Sequence, residues 1–359
     1  MNTQNTQAAA ALEQMLLALG VPCSVDDIQS NSFSIFYKLT PTGKTTVAKL
    51  RRVCLDLSIY FGNPEIVINN GLFLKLDNTA GNRVYYDFFK YAEKDTSGAA
   101  IPIYCGVDEH NNKIILDLAT LPHVLISGAT GSGKSIFSHD VILSLLSGNN
   151  ELLLIDPKRV ELSIYKNVRG VQVITETDYI IPALQGAFDL MQKRYDEMER
   201  RGISDGHTVY NPYIVVIDEL ADIMLNKALK RQAEIIISRL AAMGRAAAVH
   251  LVVATQRPSV NVLTGLIKAN IPCRIAFTCA TAIDSRCILD HKGAETLQGR
   301  GDGFIKLSDC AEFIRFQAYN NTRQDIQTFI APITDTRRRT TTQPKPATRR
   351  GFFQRLFAF

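Results

Sequence analysis

The eight residues "GATGSGKS" at 128–135 have the types and the spacing of a phosphate-binding loop. They follow an apolar run, "HVLISG" at 123–128, and precede a stretch with helical periodicity, as the pattern G-x-x-x-x-G-K-[ST] requires. The glycines let backbone N–H groups curl around a phosphate, and the amino end of the following helix favours the anion. We expect Lys134 to reach the β and γ phosphates of a nucleotide and Ser135 to ligate Mg²⁺. The predicted nucleotide-binding residues are Gly128, Ala129, Thr130, Gly131, Ser132, Gly133, Lys134 and Ser135.

A pair of acidic residues supplies the second half of a hydrolytic site. In "YIVVIDEL" at 213–220, Asp218 and Glu219 come directly after an apolar strand. Asp218 is placed to hold Mg²⁺ through water, and Glu219 is placed to act as the base for an attacking water. Two adjacent acids are also typical of a solvated turn, but their position downstream of a phosphate loop favours catalysis. The two motifs together predict a protein that hydrolyses ATP or GTP.

Apolar segments that alternate with helical patterns must position these motifs. Unbroken β-branched runs separated by helices indicate an α/β fold with a mostly parallel sheet that is buried on both faces. The apolar segments lie at 123–128, 152–156, 171–175, 213–218, 250–255 and 273–279. The clearest helical patterns lie at 134–147, 183–201 and 228–243.

The residues before this region predict a smaller α+β unit. Helical spacing covers 8–20 and 45–62, and "FSIFYKL" at 33–39 alternates as a strand does. Asn70-Gly71 is a hairpin signal between two short strands. The predicted organisation is therefore a small α+β domain over 1–92, an ATPase domain over 93–330 and a basic flexible tail over 331–359.

Composition limits the partners and the compartment. The length of 359 residues, with 46% hydrophobic and 21% charged residues, suits about two globular domains. Seven of the 40 basic residues follow Thr336, and the remainder of the chain carries 33 basic against 35 acidic residues. A polyanion-binding surface in the body must therefore be local. Seven cysteines without a CxxC pair indicate reducing cytosol, and no apolar run reaches the roughly 18 residues of a membrane-spanning helix.

The segments around the two motifs extend the pattern across most of the chain. Besides the phosphate loop they are "LLLIDPKRVELSIY", "PYIVVIDELADIM", "GRAAAVHLVVATQRPSVNVLTGLIKANIPCRIAF" and "IDSRCILDHKGAETLQGRGD". From Ile101 to Tyr319 the chain closely resembles the motor of the FtsK/SpoIIIE family of double-stranded DNA translocases, and 8–92 resembles the smaller α domain of that family more weakly. The resemblance implies a RecA-like motor that binds ATP and Mg²⁺. It also implies a homo-oligomeric ring, usually a hexamer, that threads duplex DNA through its centre.

The resemblance assigns further residues to catalysis. Arg245, in "GRAAAVH", matches the arginine finger that reaches the ATP of the neighbouring subunit and stabilises charge on the transferring phosphoryl group. Without the resemblance, an arginine that closes a helix would be the simpler interpretation. Gln256, in "ATQRPSV", matches polar residues that sense the γ-phosphate or its water in related motors. Asp156 and Lys158 follow the second strand, and we interpret them as support for the active site.

Three cations match residues that touch DNA phosphates in the pore of the family's ring, namely Arg257, Lys268 and Arg286. Each of them, taken alone, is also typical of a solvated surface charge. Ala282 stands where the family commonly has another lysine, which predicts a weaker salt dependence of DNA binding. Because Arg257 directly follows Gln256, this pair is a candidate link between the state of the ATP and the grip on DNA.

Two parts of the family's usual architecture find no match, the membrane-spanning N-terminus and the C-terminal winged-helix domain. We therefore expect a motor without built-in membrane tethering or sequence direction, suited to a plasmid, a phage or another mobile element. The final stretch, "RRGFFQRLFAF" at 349–359, sets aromatic residues among arginines. It is typical of a disordered end, of a partner-docking peptide or of an interfacial membrane anchor, and we favour partner docking over the membrane.

Three functions fit these features. The first is ATP-driven translocation of double-stranded DNA by a cytoplasmic ring, serving a mobile element or chromosome segregation. The second is a related motor that acts with a partner recruited by the tail, as a DNA-transfer coupling or genome-packaging ATPase does. The third is an ATP-dependent switch that never moves DNA, and the pore cations argue against it. The body of the chain does not separate the first two.

Overall fold

The chain divides into two compact units. The first comprises Met1–Tyr85 with Glu109–Asn112, and the second comprises Tyr86–Asp108 with Lys113–Phe359. The structure, a computed structural model, describes residues 3–31, 33–61, 64–68, 71–77, 84–92, 97–308 and 313–334. Of the tail predicted over 331–359, the structure describes 331–334, and the predicted docking segment 349–359 lies outside the described residues.

The described residues of the first unit form a four-stranded antiparallel sheet in the order β1-β2-β4-β3, together with two helices. Its elements are α1 (Thr3–Ala18), β1 (Cys23–Ser30), β2 (Ser34–Pro41), α2 (Val47–Phe61), β3 (Glu65–Ile68) and β4 (Leu72–Asp77). Leu16 of α1, Leu74 of β4 and the helical series Leu50, Val53 and Leu57 of α2 share one buried core. The i, i+3, i+7 spacing of that series is what places it on one helix face.

The second unit is built on a ten-stranded sheet with eight helices in the described part of the chain. Its strands are β5 (Pro102–Asp108), β6 (Lys113–Asp117), β7 (His123–Ser127), β8 (Glu151–Ile155), β9 (Val171–Ile174), β10 (Tyr213–Ile217), β11 (Val249–Thr255), β12 (Cys273–Phe277), β13 (Asp302–Lys306) and β14 (Ile314–Ala318). Its helices are α3 (Phe88–Ala92), α4 (Lys134–Leu146), α5 (Thr177–Arg201), α6 (Leu220–Met224), α7 (Lys230–Met243), α8 (Gly265–Ala269), α9 (Ala282–Leu289) and α10 (Arg323–Ile330).

The strands from β12 to β9 are parallel, and those on the other side of β12, out to β6, are antiparallel. The order is β6-β5-β14-β13-β12-β7-β11-β10-β8-β9. The predicted α/β fold with a mostly parallel sheet is thereby confirmed for the six strands that the apolar runs mark. The antiparallel flank adds four strands that those runs do not mark.

The parallel strands are apolar because both of their faces are covered. β7 and β11 are buried along their whole length, and β10 is buried from Ile214 onwards. Leu184 and Met191 of α5 and Ile237 of α7 belong to the same buried cluster as strands β8, β10 and β11. Phe137 of α4 packs against aromatic side chains of β12 and β14. None of the helices in the described part of the chain combines the length and apolar character needed to cross a membrane.

The strand order sets the geometry of the site. β11 lies between β7, which leads into the phosphate loop, and β10, which leads into the acidic pair. Since parallel strands end at the same edge of a sheet, the carboxyl end of β11 falls between these two motifs.

Candidate active site

The phosphate loop joins the carboxyl end of β7 to the amino end of α4. β7 ends at Ser127 and α4 begins at Lys134, so six of the eight predicted residues form the connecting turn. Gly131 and Gly133 have φ angles of 79° and 105°, in the left-handed region that side chains disfavour. A Cβ atom on Gly133 would lie 2.4 Å from the Gly301 nitrogen, so this position has no room for a side chain.

A second turn, Gly299–Gly301, packs against the phosphate loop. The Gly301 N–H donates to the Ser132 carbonyl oxygen at 2.8 Å. The three residues of the turn have successive φ angles of 75°, 52° and 91°, so Arg300 takes a left-handed conformation that is uncommon for a side-chain-bearing residue. Arg300 is exposed beside the loop. Sequence reasoning gave it no role, and the two flanking glycines were the available signal.

Lys134 and Asp218 form a buried ion pair under the loop. Lys134 Nζ lies 3.2 Å from the Asp218 carbonyl oxygen and 3.5 Å from Asp218 Oδ1. Burial raises the pKa of Asp218, the Lys134 ammonium opposes that shift, and the nearby carboxylates of Asp156 and Glu161 add to it. Asp218 therefore feels the negative charge of two further carboxylates, which a divalent cation would neutralise.

Two further carboxylates, Asp156 and Glu161, act electrostatically on Asp218. Asp156 is fully buried, and its Oδ1 has no hydrogen-bond partner within the described part of the chain. Hydrogen bonds from His139 and, to a smaller extent, Ser135 lower the pKa of Glu161 despite the opposing effect of burial. Oxygen ligands of this type suit Mg²⁺. The donors that surround Ser135 and Asp218 are therefore compatible with the predicted metal.

Glu219 is buried, ionised and bound on both of its oxygens. Glu219 Oε1 accepts from the Thr255 hydroxyl at 2.7 Å and from the Gln256 N–H at 3.1 Å, and Oε2 accepts from Lys158 Nζ at 3.0 Å. Burial by itself raises the pKa of Glu219, but the hydrogen bonds from Thr255 and Lys158 bring it below its ordinary value. Lys158, interpreted from the sequence as support, is thus the cationic partner of this carboxylate.

The turn after β11 contacts both the phosphate loop and Glu219. Gln256 Oε1 accepts from the Thr130 hydroxyl of the phosphate loop at 3.4 Å, while the Gln256 N–H reaches Glu219. The Thr255 hydroxyl, which donates to Glu219, also accepts from the Arg257 N–H at 3.1 Å. The Arg257 side chain is exposed. The sequence did not point to Thr255, because threonine is a common residue in β-strands.

The three predicted DNA-binding cations differ in their surroundings. Arg257 and Arg286 are exposed. Arg257 lines a surface depression together with Asp284 near the amino end of α9, the helix that carries Arg286. Lys268 is engaged within the chain, because its Nζ donates to the Cys287 carbonyl oxygen at 3.0 Å. The structure therefore groups Arg257 with α9 and places Lys268 in an internal contact.

Asp290 is the centre of that internal contact. Lys268, Arg274 and Lys306 all form ion pairs with its carboxylate. Burial alone raises the pKa of Asp290, but Lys268 and Arg274 overcome this effect and bring it to about 2. The Lys268 ammonium thus already has an anionic partner in the absence of DNA.

Arg245 lies at the opposite edge of the sheet from the phosphate loop. It is exposed in a short 3-10 turn, Gly244–Ala247, just before β11 begins. β11 has seven residues, and a strand of that length spans about 23 Å. Because the phosphate loop lies past the other end of this strand, Arg245 does not reach the phosphate loop of its own chain.

Arg194 of α5 holds the Arg245 turn in place. Its guanidinium is buried and donates to the carbonyl oxygens of Ala247 at 2.8 Å and Ala248 at 3.0 Å. Ala248 has a φ of 53°, so the chain leaves the turn through a left-handed residue. Sequence reasoning did not single out Arg194, since an arginine within a charged helical segment is an ordinary surface residue by pattern.

Comparison with known sequences identifies one family. The model of the FtsK/SpoIIIE family matches residues 86–214 and 207–260. The DNA translocase FtsK of Haemophilus influenzae is 35% identical over 356 residues, covering 86% of this chain and 67% of the relative. That of Treponema pallidum is 47% identical over 223 residues, covering 56% of this chain and 28% of the relative. That of Helicobacter pylori (strain ATCC 700392 / 26695) is 41% identical over 251 residues, covering 65% of this chain and 29% of the relative. The chain thus spans less than a third of two of these relatives and two thirds of the third.

Solved structures share the fold at lower identity. The monomer form of the pCW3 conjugation coupling protein TcpA with ATPγS superposes with a TM-score of 0.65 at 22% identity, over 92% of this chain and 99% of that chain. The cytoplasmic domain of the type VII secretion ATPase EccC from Thermomonospora curvata has a TM-score of 0.54 at 24% identity, over 61% of this chain and 28% of that chain. At these identities the likeness concerns the fold.

Proposed function

The chain belongs to the FtsK/SpoIIIE family, and on that premise we propose that it is an ATP-driven motor that moves double-stranded DNA through a homo-oligomeric ring, a hexamer, in the cytoplasm. The observation that carries this proposal is the turn after β11. There Gln256 contacts the phosphate loop and Glu219. The neighbouring Arg257 is exposed, as contact with a DNA phosphate requires. A nucleotide switch that never touches DNA would need no cation at this position.

In the proposed hydrolysis, Glu219 acts as the base. Lys134 holds the β and γ phosphates of ATP, and a water molecule attacks the γ-phosphorus. As the new O–P bond forms, the water proton passes to Glu219, and the bond from the γ-phosphorus to the ADP oxygen breaks. The lowered pKa of Glu219 keeps the carboxylate ionised for this step. Thr255, Gln256 and Lys158 engage both of its oxygens, so the water competes with these contacts for the remaining acceptor capacity of the carboxylate.

We place Mg²⁺ at Ser135 and Asp218, with Asp156 and Glu161 as nearby carboxylates. When bound, the ion neutralises charge on the β and γ phosphates. The buried Asp156 oxygen that lacks a partner in the described part of the chain, and the raised pKa of Asp218, support this placement.

Arg245 serves the ATP of the neighbouring subunit in this proposal. The length of β11 separates it from its own phosphate loop. A cation supplied by a neighbour stabilises the charge on the transferring phosphoryl group. It also makes hydrolysis depend on ring assembly, which suits a processive motor.

The proposed DNA contacts are sequence-independent. Arg257 and Arg286 are exposed cations that suit phosphate oxygens. Lys268 joins them only if it leaves Asp290, its partner in the structure. A small number of phosphate contacts per subunit predicts a moderate salt dependence of binding.

The proposed function predicts ATPase activity that duplex DNA stimulates. Lys134→Ala should remove the stimulated rate by loss of the phosphate contact. Glu219→Gln should lower it by about a hundredfold or more, because the base is lost. Steady-state phosphate release with and without linear duplex measures both effects, and circular dichroism confirms the fold of each variant.

Lys44→Ala is a matched control for these variants. Lys44 lies in "PTGKTT", a second GKT sequence, but it is an exposed residue of the first unit outside the phosphate loop. It should leave the stimulated rate unchanged. A wild-type rate that duplex DNA fails to raise would contradict the proposed function. Stimulated hydrolysis without any movement of DNA would favour the partner-dependent coupling or packaging motor, with 349–359 as the proposed docking segment.

A further inference from the structure

Thr255 connects three parts of the site through one residue. Its side chain is fully buried at the end of β11. Its carbonyl oxygen accepts from the hydroxyl of Ser127, the last residue before the phosphate loop, at 3.0 Å. Its own hydroxyl donates to Glu219 Oε1 at 2.7 Å and accepts from the Arg257 N–H at 3.1 Å. Thr255 is thus bonded to the nucleotide side, to the base and to the proposed DNA contact.

The hydroxyl has a fixed direction in this arrangement. An ionised carboxylate only accepts, so the single hydroxyl proton of Thr255 points to Glu219, and a lone pair is left for the Arg257 N–H. Hydrogen bonds to charged groups in a buried setting are stronger than neutral ones, and linked bonds polarise one another. A shift of the Arg257 backbone therefore changes how strongly the hydroxyl binds Glu219.

The residue type at this position has no packing explanation. Thr255 continues the apolar run of β11, in which Val252 and Val253 fill comparable buried positions. A valine would have nearly the same shape and would bury no hydroxyl. Burying a hydroxyl costs free energy unless it is hydrogen-bonded, and here it donates to the Glu219 carboxylate and accepts from the backbone N–H of Arg257. Gln256 differs in this respect, because its contact with Glu219 uses the backbone N–H that nearly any residue would supply.

We propose that Thr255 is a positioning residue that transmits DNA engagement at Arg257 to the catalytic carboxylate of Glu219. This inference rests on the proposed function, because it takes Arg257 as a DNA contact. When a phosphate draws the Arg257 segment outwards, the Thr255 hydroxyl loses its hydrogen bond from the Arg257 N–H. Its own hydrogen bond to Glu219 then weakens. The carboxylate then becomes available to the attacking water. DNA binding would in this way accelerate hydrolysis in the same subunit.

Three substitutions in the full chain test the inference. Thr255→Val removes the hydroxyl at nearly constant shape, and Thr255→Ser keeps it. Thr175→Val is the matched control, since Thr175 is a buried threonine that follows the edge strand β9 and lies outside these contacts. For each protein we would measure the ATPase rate with and without linear duplex, the KM for ATP, and duplex affinity by fluorescence anisotropy.

In Thr255→Val the ratio of the rates with and without DNA should fall about fivefold or more, the range of a typical coupling between two sites. The KM for ATP and the duplex affinity should stay within about twofold of wild type. Thr255→Ser and Thr175→Val should keep the wild-type ratio.

Four results would overturn the inference. Thr255→Val could retain the full ratio, which would remove any need for the hydroxyl. It could lose duplex affinity as strongly as its rate ratio, which would make Thr255 a mere support of the turn. Thr255→Ser could lose the ratio, which would leave packing as the cause and applies even if Thr255→Val fails to fold. A wild-type rate without DNA stimulation would overturn the proposed function itself and this inference with it.

Discussion

Single side chains in this site are defined by their partners as much as by their types. Lys134, Asp218 and Glu219 have the expected types, but the structure also shows that Glu219 is held by Thr255, Gln256 and Lys158. Such a carboxylate is ionised yet restrained. Its reactivity then depends on the surrounding donors, which gives the protein a means of control that the acidic pair alone would lack.

Gln256 and Arg257 should have separable roles although they are adjacent. Gln256→Ala should keep duplex affinity and impair the stimulation of hydrolysis, because its amide contacts the phosphate loop. Arg257→Ala should weaken duplex affinity and reduce the slope of its logarithm against the logarithm of salt concentration by about one unit. Anisotropy titrations over a salt series and phosphate-release assays measure both. Arg231→Ala, an exposed arginine of α7, is the control. Identical defects in the two variants would place the link elsewhere.

Part of the site could be predicted from the sequence. The phosphate loop and the acidic pair follow from motifs in which spacing and residue type are both restrictive. The sequence did not predict roles for Thr255, Arg194 and Glu161. Thr255 and Arg194 make their contacts with residues 36 to 54 positions away. Glu161 acts electrostatically on Asp218, which is distant in the sequence. A threonine in a strand or an arginine in a helix carries no local sign of such a partner.

Elements matter here through their order in the sheet. The apolar runs predict the parallel strands, since strands that are buried on both faces must be apolar. They do not predict that β11 lies between β7 and β10, and that arrangement is what brings the phosphate loop, Glu219 and Arg257 together. The sequence did not predict the antiparallel flank from β13 to β6. Its strands contain polar residues and lack the unbroken apolar runs that mark the parallel strands.

The amino ends of β7 and β11 should make the second unit sensitive to acid. Burial lowers the pKa of His123 to about 3 and that of His250 to about 4, against about 6.5 in an unfolded chain. Between these values and 6.5 the unfolded chain binds more protons than the folded one. Stability is therefore fully present above about pH 6.5 and declines as pH falls, by up to about 1.4 kcal/mol per pH unit for each histidine.

Thermal unfolding between pH 7.5 and pH 5 measures this dependence. The unfolding temperature should fall with pH in the wild type, and His250→Asn should show a shallower fall, because one titrating group is gone. The Nδ1–H of His250 donates to the Pro122 carbonyl oxygen at 3.0 Å, so an asparagine amide is the appropriate replacement donor. An equal slope in both proteins would remove His250 as a cause.

At the scale of the whole molecule, the account requires more than one copy of the chain. Arg245 lies an entire strand length from its own phosphate loop, and the proposed DNA contacts Arg257 and Arg286 would give one chain few phosphate contacts. The proposed ring accounts for both points, because in it each subunit would receive an arginine from its neighbour and the DNA would meet cations from every subunit. Translocation is therefore the central claim, and ATP hydrolysis alone does not test it.

Displacement of a triplex-forming oligonucleotide from linear duplex DNA measures translocation directly. The protein should release the oligonucleotide in the presence of ATP, and Glu219→Gln should bind the duplex without releasing it. Lys44→Ala should act as wild type does. Release that proceeds equally without ATP, or a wild-type protein that hydrolyses ATP on duplex DNA and leaves the triplex intact, would contradict the account.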